Sequence, residues 1–355
     1  MTENLNKTGK AQLSEARRFS VAPMIDWTDR HCRYLHRLLT RRGLLFTEMI
    51  TTGAVLRGDT ERHVRFDPVE QPVALQLGGA DPADLAEATR IATEFGYDEI
   101  NLNVGCPSDR VQSGKFGACL MAEPALVADC VRAMRSATDK PVTVKCRIGI
   151  DDQDTEESLD RFADAVVEAG ISALYVHARK AWLQGLSPKE NRDIPPLDYG
   201  LVQAMKRENP DVFIGINGGI TDLDAALEQL QVMDGVMLGR AAYHNANLLT
   251  EVDHRIFGAP AAETNWNAVR DVMMAHADQH IASGGRLIHV TRHMVGLFQG
   301  FAGARRFRQV LSSDATKPGA GPEVIASAFA EVDIASGAKA KAAADVLLPS
   351  GEKAA

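Results

Sequence analysis

The chain has 355 residues, of which 45% are hydrophobic and 24% are charged, and these values leave room for a large buried core. Its formal net charge of −8 argues against nucleic-acid binding by the chain as a whole. The five cysteines form no C-x-x-C pair, and the sequence shows neither a signal peptide nor an apolar run of membrane length, which argues against a secreted or membrane-bound protein. We therefore predict a cytoplasmic protein with free thiols.

A repeated order of strand and helix begins after residue 17. Short apolar runs predict eight strands, at Phe19–Ala22, Leu44–Thr47, Val73–Leu77, Glu99–Val104, Val142–Cys146, Ala173–His177, Val212–Ile216 and Gly235–Leu238. Helical patterns separate most of these runs, for example at Pro82–Phe95, Pro124–Thr138 and Thr155–Ala169. Strands that alternate with helices predict the α/β class and a (β/α)₈ TIM barrel. A doubly wound sheet is the alternative, but its glycine pattern G-x-G-x-x-G is absent after the first strand.

The pattern changes near residue 259, where strands give way to helices alone. Helices are predicted at about Trp266–Ala282, Arg286–Gln299, Ala304–Leu311 and Pro322–Ala335, and glycine and proline separate them. The predicted organisation is a flexible N-terminus at residues 1–16, a barrel at 17–258, a small all-α, bundle-like domain at 259–335 and a low-complexity tail at 336–355.

Polar side chains and glycines lie at the predicted carboxyl ends of the strands, where the active site of a barrel is built. In chain order they are Pro23 and Met24, Gln76, Asn103 and Cys106, Lys145, His177, the run Asn217-Gly218-Gly219 and the pair Gly239-Arg240. Any one of these residues could be incidental. Because they come from most of the strands and fall on one rim, together they predict an active site.

The glycines after strands seven and eight predict a phosphate site, since the backbone N–H groups of such turns cradle phosphate in this fold. Arg240 would add a positive charge, although Asn-Gly is also a common turn. In strand five, Lys145 would stabilise negative charge on a reduced flavin, and Gln76 would hydrogen-bond the amide edge of the ring. These residues predict FMN, held non-covalently.

One thiol, Cys106, follows strand four between Gly105 and Pro107. Rigid backbone at the end of a strand suits a group that is positioned for chemistry. The pattern alone leaves three roles open for this thiol: a nucleophile, a metal ligand or no role.

Residues 279–313 contain no Asp or Glu, whereas Arg286, Arg292, Arg305, Arg306 and Arg308 all lie there. Such a local excess of positive charge predicts an RNA-binding surface, in contrast to the negative charge of the whole chain. The phenylalanines of this stretch are expected in the core rather than stacked on bases; they are Phe298, Phe301 and Phe307.

Six motifs in chain order carry a resemblance to a known family. They are Ala22-Pro-Met24, Gln76-Leu-Gly-Gly79, Asn101-Leu-Asn-Val-Gly-Cys-Pro-Ser108, Val144-Lys-Cys-Arg147, Asn217-Gly-Gly219 and Leu238-Gly-Arg240. In these motifs the chain resembles the tRNA-dihydrouridine synthase family of flavoenzymes. Two further segments are similar to the A-type branch of that family, His177-Ala-Arg-Lys-Ala-Trp-Leu183 and Leu186-Ser-Pro-Lys-Glu-Asn-Arg192.

The resemblance implies a (β/α)₈ barrel with a helical tRNA-binding domain, FMN as the prosthetic group and NADPH as the reductant. The implied reaction reduces the C5–C6 double bond of uridines 20 and 20a in the tRNA D-loop. The implied FMN contacts are Pro23, Met24, Ile25, Gln76, Lys145, His177, Asn217, Gly218, Gly219, Gly239 and Arg240. The resemblance also implies that Cys106 is the proton donor, and its implied tRNA contacts are Asn103, Lys189, Arg192, Arg305 and Arg308. No metal, membrane or obligate protein partner is expected.

The expected mechanism passes a hydride from flavin N5 to C6 of uracil and a proton from Cys106 to C5. A thiol with an ordinary pKa of about 8.5 is mostly protonated at neutral pH and can donate its proton without special tuning. A nucleophilic thiolate would need a nearby group that lowers its pKa, and the neighbouring sequence offers none.

Three other functions stay open on the residues alone. An aldolase would use Lys145 to form a Schiff base, and a flavin reductase of free pyrimidines would leave the basic helical segment without a role. A protein that only binds RNA would leave the predicted cofactor site unused. A zinc pair at His289 and His293, four residues apart, lacks a third ligand nearby.

Overall fold

The computed structural model describes residues 11–335. Eight parallel strands form a closed barrel in sequence order. They are β1 (Phe19–Val21), β2 (Leu44–Thr51), β3 (Val73–Gly78), β4 (Glu99–Val104), β5 (Val142–Arg147), β6 (Leu174–His177), β7 (Ile214–Asn217) and β8 (Gly235–Leu238). The barrel closes because β8 pairs with β1, with Ser20 opposite Met237. The predicted fold class is therefore confirmed.

Helices follow the strands around the barrel. They are α1 (Arg30–Leu39), α2 (Thr52–Arg57), α3 (Thr60–Val64), α4 (Pro82–Phe95), α5 (Asp109–Ser113), α6 (Pro124–Ser136), α7 (Thr155–Glu168), α8 (Tyr199–Glu208), α9 (Leu223–Gln229), α10 (Arg240–His244) and α11 (Val252–Arg255). Aspartate side chains accept backbone N–H groups in the first turn of α1, α4, α7, α8 and α9. These caps satisfy donors that would otherwise lack partners, and they fix the point at which each loop becomes helix.

The strands are buried on both faces, since one face packs on helices and the other fills the barrel. This explains why they read in the sequence as short apolar runs. The predicted strand boundaries differ from the structure by at most two residues, apart from the end of β2. Strand β2 extends four residues beyond its apolar run, and its pairing with β3 shifts register between Phe46 and Met49. Strand β7 extends to Asn217, whose backbone pairs with β6.

The amino-terminal end of the barrel is filled by apolar side chains. Residues 11–16 are helical, and Leu13 and Ala16 belong to the same buried cluster as Phe46 and Tyr175. The ring centroids of Phe46 and Tyr175 lie 5.3 Å apart in an edge-to-face arrangement. Residues 11–16 of the predicted flexible terminus are thus helical, and burial of two apolar side chains stabilises this helix. The other residues of that predicted segment, 1–10, lie outside the described part of the chain.

The chain divides into two compact units. The first is Met1–Ala242 with Glu251–Ala261, and the second is Tyr243–Thr250 with Ala262–Ala355. The division after residue 261 lies close to the predicted boundary at 258. Residues 243–250 group with the second unit, which the sequence pattern did not indicate. The predicted tail at 336–355 lies outside the described residues.

The second unit is helical where it is described. Its main helices are α12 (Trp266–Ala282), α13 (Ile288–Thr291), α14 (Ala304–Ser313) and α15 (Glu323–Ala330). The buried ring of Phe298 lies at the centre of an aromatic cluster and has its centroid 4.8 Å from Trp266, 4.9 Å from Phe307 and 5.3 Å from Phe329. Phe298 and Phe307 are thus core residues, as predicted. No helix within residues 11–335 has the length and apolar character needed to span a membrane.

The predicted helix at Arg286–Gln299 is wrong over most of its length. Only Ile288–Thr291 is α-helical, and turns with backbone bonds of the i to i−3 type follow, such as His293 N to Val290 O. A Cβ atom at Gly296 would lie 2.6 Å from the Tyr243 carbonyl oxygen. Close approach of two backbone segments requires glycine at this position, and the apolar spacing of the stretch did not indicate that contact.

Candidate active site

The barrel residues predicted for the site lie at the carboxyl ends of the strands. Pro23, Met24 and Ile25 form the turn after β1, and Ile25 is 54% exposed. Gln76, Lys145, His177 and Asn217 are in β3, β5, β6 and β7, Asn103 is in β4, and Cys106, Gly218, Gly219, Gly239 and Arg240 follow their strands directly. The strand order of the barrel places all of these residues at one mouth.

Asn103 fixes the backbone of Cys106. Its Oδ1 atom accepts the N–H of Gly105 at 3.1 Å and the N–H of Cys106 at 3.0 Å. Its Nδ2 atom donates to Gln76 Oε1 at 2.7 Å. The side chains of β3 and β4 therefore hold the loop that carries the thiol.

A second contact holds the other side of the Cys106 peptide unit. The carbonyl oxygen of Cys106 accepts the N–H of Ala118 at 2.9 Å. Gly117, which precedes Ala118, has φ of +76°, and a Cβ atom there would lie 2.7 Å from the same carbonyl oxygen. Glycine is required at this position by both the left-handed backbone and the close approach. The Cys106 side chain is half-buried, and its sulfur lies 3.5 Å from Ser108 Oγ.

Arg147 is a site residue that the sequence predicted only as part of a motif. It is 3% exposed, and its guanidinium donates to the carbonyl oxygens of Gly105 at 2.9 Å, Asn191 at 2.9 Å and Lys180 at 3.2 Å. It thus ties the loop after β4 to the loop after β6. The sequence could have indicated this role through the position of Arg147 two residues after Lys145, because residues two apart on a strand share a face.

Positive charge lies near the thiol. Lys145, Arg147 and Arg192 are all within electrostatic range of the Cys106 sulfur. Burial lowers the pKa of Lys145 to about 8, and it lowers the pKa of Arg147 to about 10. The sequence alone offered no such neighbours for the thiol, because they come from β5 and the loop after β6.

His177 is neutral at physiological pH. Burial, followed by the charges of Arg147 and Lys145, holds its pKa well below the usual value of 6.5. Its ring packs on Gly218, where φ is +113° and a Cβ atom would lie 2.6 Å from His177 Cδ2. A neutral imidazole at this position can donate one hydrogen bond and accept another.

The loop after β6 carries the predicted tRNA contacts Lys189 and Arg192. Asn191 organises this loop, because its side chain bonds to the backbone of Trp182 as both donor and acceptor, at 2.8 Å and 2.7 Å. Lys189 is exposed and Arg192 is half-buried. Arg240, predicted as a phosphate ligand, forms an ion pair with Asp193 at 2.8 Å.

The residues at the mouth fit an anionic cofactor. The Nε atoms of Arg179 and Arg192 are buried and have no hydrogen-bond partner within residues 11–335. Lys145 Nζ donates to Asn217 Oδ1 at 3.1 Å, and Asn217 Nδ2 donates in turn to Met237 O at 2.7 Å. Unpaired buried donors and cations need acceptors or negative charge nearby, which the phosphate of FMN would supply, as would its ring edge once reduced.

Comparison with known proteins identifies the family of the chain. Residues 20–332 match the protein family described as dihydrouridine synthase (Dus). The chain belongs to this family. A tRNA-dihydrouridine(20/20a) synthase of Shewanella oneidensis is 56% identical over 316 residues, which cover 89% of this chain and 94% of that protein. The proteins of the same name from Pseudomonas putida and Vibrio cholerae are 58% and 55% identical, over 85% and 89% of this chain and 90% and 96% of their own. The family resemblance inferred from the motifs is therefore confirmed.

In this dihydrouridine synthase, the remaining predicted tRNA contacts lie in the second unit. Arg305 and Arg308 are exposed on α14, and neither forms an ion pair within the described residues. Arg306 on the same helix pairs with Glu331 at 3.5 Å. Two of the three arginines of this helix therefore present uncompensated charge. Within residues 11–335, no three His, Cys, Asp or Glu side chains are grouped to hold a metal ion.

Lys145 should make FMN binding depend on pH. Below about pH 8 the ligand-free lysine is charged and donates a charged hydrogen bond to the acceptor edge of the oxidised ring, and above that value the charge is lost. We expect the dissociation constant of FMN to rise about tenfold at higher pH, as for one charged hydrogen bond. Quenching of flavin fluorescence at several pH values measures it. Lys145→Met should bind weakly at every pH, and a pH dependence equal to that of the wild type would contradict the assignment.

Replacement of Arg147 should loosen two loops without unfolding the barrel. Arg147→Met keeps the length of the side chain, and removal of a buried charge offsets part of the lost bonding, so the melting temperature should change little. Hydrogen exchange should rise about tenfold or more in residues 105–118 and 180–192, since three bonds to these loops are lost. Arg161→Met, at an exposed arginine of α7, is the control. Unchanged exchange in both loops would show that Arg147 does not tie them.

Proposed function

We propose that this protein is an FMN-dependent tRNA-dihydrouridine synthase that reduces uridines 20 and 20a of the tRNA D-loop with NADPH. The observation that carries the proposal is a half-buried thiol, Cys106, held at the barrel mouth among lysine and arginine side chains. Membership of the dihydrouridine synthase family supports the reaction, and the names of the relatives support the two positions.

The proposed FMN contacts are Pro23, Met24, Ile25, Gln76, Lys145, His177, Asn217, Gly218, Gly219, Gly239 and Arg240. When bound, FMN supplies the hydride that is added to C6 of uracil. Lys145 contributes positive charge to the ring edge on which negative charge develops. The left-handed glycines after β7 let the backbone approach a phosphate closely, with φ of +113° at Gly218 and +69° at Gly219.

Cys106 is the proposed general acid. Its thiol gives a proton to C5 of uracil, and negative charge is left on sulfur. The positive charges of Lys145, Arg147 and Arg192 stabilise that negative charge. Two backbone hydrogen bonds, at its N–H and at its carbonyl oxygen, keep the thiol in one place while the proton moves.

The base must leave its stack to reach the thiol, which costs a few kcal/mol. Asn103, buried beside Cys106, is the proposed contact to the extruded base. Lys189 and Arg192 are the proposed phosphate contacts in the first unit, and Arg305 and Arg308 are those in the second. Phosphate contacts of this kind offset the cost of extrusion.

Mass analysis of tRNA nucleosides tests the proposed reaction. Unmodified tRNA incubated with the protein, FMN and NADPH should gain two hydrogens at a D-loop uridine. Cys106→Ala should lower the rate of this step about 10²–10⁴-fold, the contribution of a positioned acid. The variant should still consume NADPH to reduce its flavin. If the variant formed dihydrouridine at the wild-type rate, the acid assignment would be wrong, and no mass gain with the wild type would refute the function.

The dependence of tRNA affinity on salt tests the second unit. Arg305→Gln with Arg308→Gln should lower the slope of log K against log salt by about 2, one for each lost phosphate contact. Arg306→Gln on the same helix is the matched control, because Arg306 is already paired with Glu331. Equal slopes for the wild type and the double variant would remove Arg305 and Arg308 from the tRNA contacts.

A further inference from the structure

A continuous chain of hydrogen bonds joins the amino-terminal end of the barrel to the backbone of Cys106 at its mouth. Its members, which we call the relay, are Arg17, Glu99, Thr143, Asn101, Gln76 and Asn103. All six side chains are buried, and Asn103, the most exposed of them, shows 7% of its surface. The active site described above uses only the last two members. The first four have no role in the chemistry proposed so far.

The bonds of the relay are short. They measure 2.7 Å from Arg17 Nε to Glu99 Oε2, 2.6 Å from Thr143 Oγ1 to Glu99 Oε1, 2.9 Å from Asn101 Nδ2 to Thr143 Oγ1, 2.8 Å from Gln76 Nε2 to Asn101 Oδ1 and 2.7 Å from Asn103 Nδ2 to Gln76 Oε1. Each of the five bonds joins a donor to an acceptor.

The two ends of the relay decide the direction of every bond. The carboxylate of Glu99, paired with Arg17, can only accept, so the hydroxyl of Thr143 donates to it. Thr143 must then accept from the amino group of Asn101, which leaves the oxygen of Asn101 for Gln76. At the other end, backbone N–H groups can only donate, so the oxygen of Asn103 faces Cys106.

The two ends require the same orientation of the three carboxamides between them. A carboxamide taken alone can face either way, since its oxygen and nitrogen differ little in shape. Here Asn103 uses both lone pairs of its oxygen on Gly105 and Cys106, and one of its N–H groups on Gln76. The Asn103 side chain therefore keeps one N–H group for a ligand, and its oxygen has no lone pair left to accept a further bond. Asn103 can therefore offer a ligand a hydrogen-bond donor only.

We propose that Glu99, Thr143 and Asn101 are positioning residues that hold Asn103 in the orientation that fixes Cys106 and offers the substrate one N–H donor. The ligand group that Asn103 takes is a carbonyl oxygen, such as O2 or O4 of uracil, and not a ring N–H or an amino group. The identity of the substrate rests on the proposed function, whereas the orientation of Asn103 does not.

Replacement of Glu99 by glutamine should place a conflict in the relay. The charged N–H of Arg17 keeps the new oxygen, because charge-assisted hydrogen bonds are the stronger ones, so the new nitrogen faces Thr143. The hydroxyl of Thr143, which loses its acceptor, then turns to the oxygen of Asn101, and every bond that follows reverses. Asn103 would then turn its nitrogen to the N–H groups of Gly105 and Cys106, which places donor against donor. One buried contact is therefore lost at the Cys106 end.

Two variants of Thr143 test the relay without a change of charge. Thr143→Val keeps the shape of the side chain and removes the hydroxyl that joins Asn101 to Glu99. Thr143→Ser keeps the hydroxyl and is the control. Glu70→Gln is the matched control for Glu99→Gln, because Glu70 is 1% exposed and pairs with Arg33 Nε at 2.6 Å outside the relay. The two glutamine variants make the same chemical change to an equally buried ion pair.

The first measurement needs neither cofactor nor substrate. Amide hydrogen exchange at Gly105 and Cys106 should rise about tenfold in Thr143→Val and Glu99→Gln, the change that one lost buried hydrogen bond produces. Thr143→Ser and Glu70→Gln should keep the wild-type exchange at these two amides, even where Glu70→Gln lowers the melting temperature. Wild-type exchange in Thr143→Val, or a rise of equal size in Glu70→Gln, would overturn the proposal.

The second measurement follows the two half-reactions separately. Thr143→Val should slow reoxidation of the reduced protein by a uridine-containing tRNA about tenfold, since Asn103 and Cys106 lose their fixed orientation. Reduction by NADPH should stay at the wild-type rate, and Thr143→Ser should recover reoxidation. Equal slowing of both half-reactions would mean a general loss of structure and would overturn the positioning role. If tRNA fails to reoxidise the wild type, the proposed function is wrong. Hydrogen exchange then still tests whether the relay holds Asn103 in its orientation.

Discussion

The site depends on a side-chain oxygen that holds two backbone N–H groups, those of Gly105 and Cys106. A thiol on a free loop would sample many positions, and the orientation needed for the proposed proton transfer would be reached rarely. In this barrel the Asn103 side chain projects from a strand that is paired on both sides, so its position is set by the sheet. The bond from Ala118 to the Cys106 carbonyl oxygen completes the restraint.

The same barrel carries charge in two different ways. At its amino-terminal end Arg17 and Glu99 neutralise one another, and removal of one partner from such a buried pair costs about 3–5 kcal/mol. At its mouth Arg147 is almost as deeply buried, but it bonds to backbone carbonyl oxygens and not to a carboxylate. Uncompensated positive charge is unfavourable in the ligand-free protein, and it lowers the pKa of Lys145 and His177 further below their usual values. The mouth is thus suited to negatively charged ligands, such as the flavin phosphate and the RNA backbone of the proposed function.

The second unit separates apolar and charged residues along one helix. On α14, Phe307 is buried in the aromatic cluster around Phe298, whereas Arg305 and Arg308 are exposed. The negative net charge of the whole chain therefore does not indicate the local charge of this surface. Local spacing decides which residues reach solvent, because a helix turns its apolar residues to the core and leaves the others outside.

Sequence alone determined the barrel, since eight apolar runs separated by helical patterns are what strands buried on both faces look like. It also located most residues of the mouth, because the carboxyl ends of parallel strands gather at one side of any such barrel. It failed at Arg286–Gln299, where turns follow a four-residue helix although the apolar spacing is that of a longer one. The sequence could not indicate the roles of Arg147, Thr143 and the Arg17–Glu99 pair, for a different reason. Their roles lie in contacts with residues distant in the chain, and only the tertiary structure brings those donors and acceptors together.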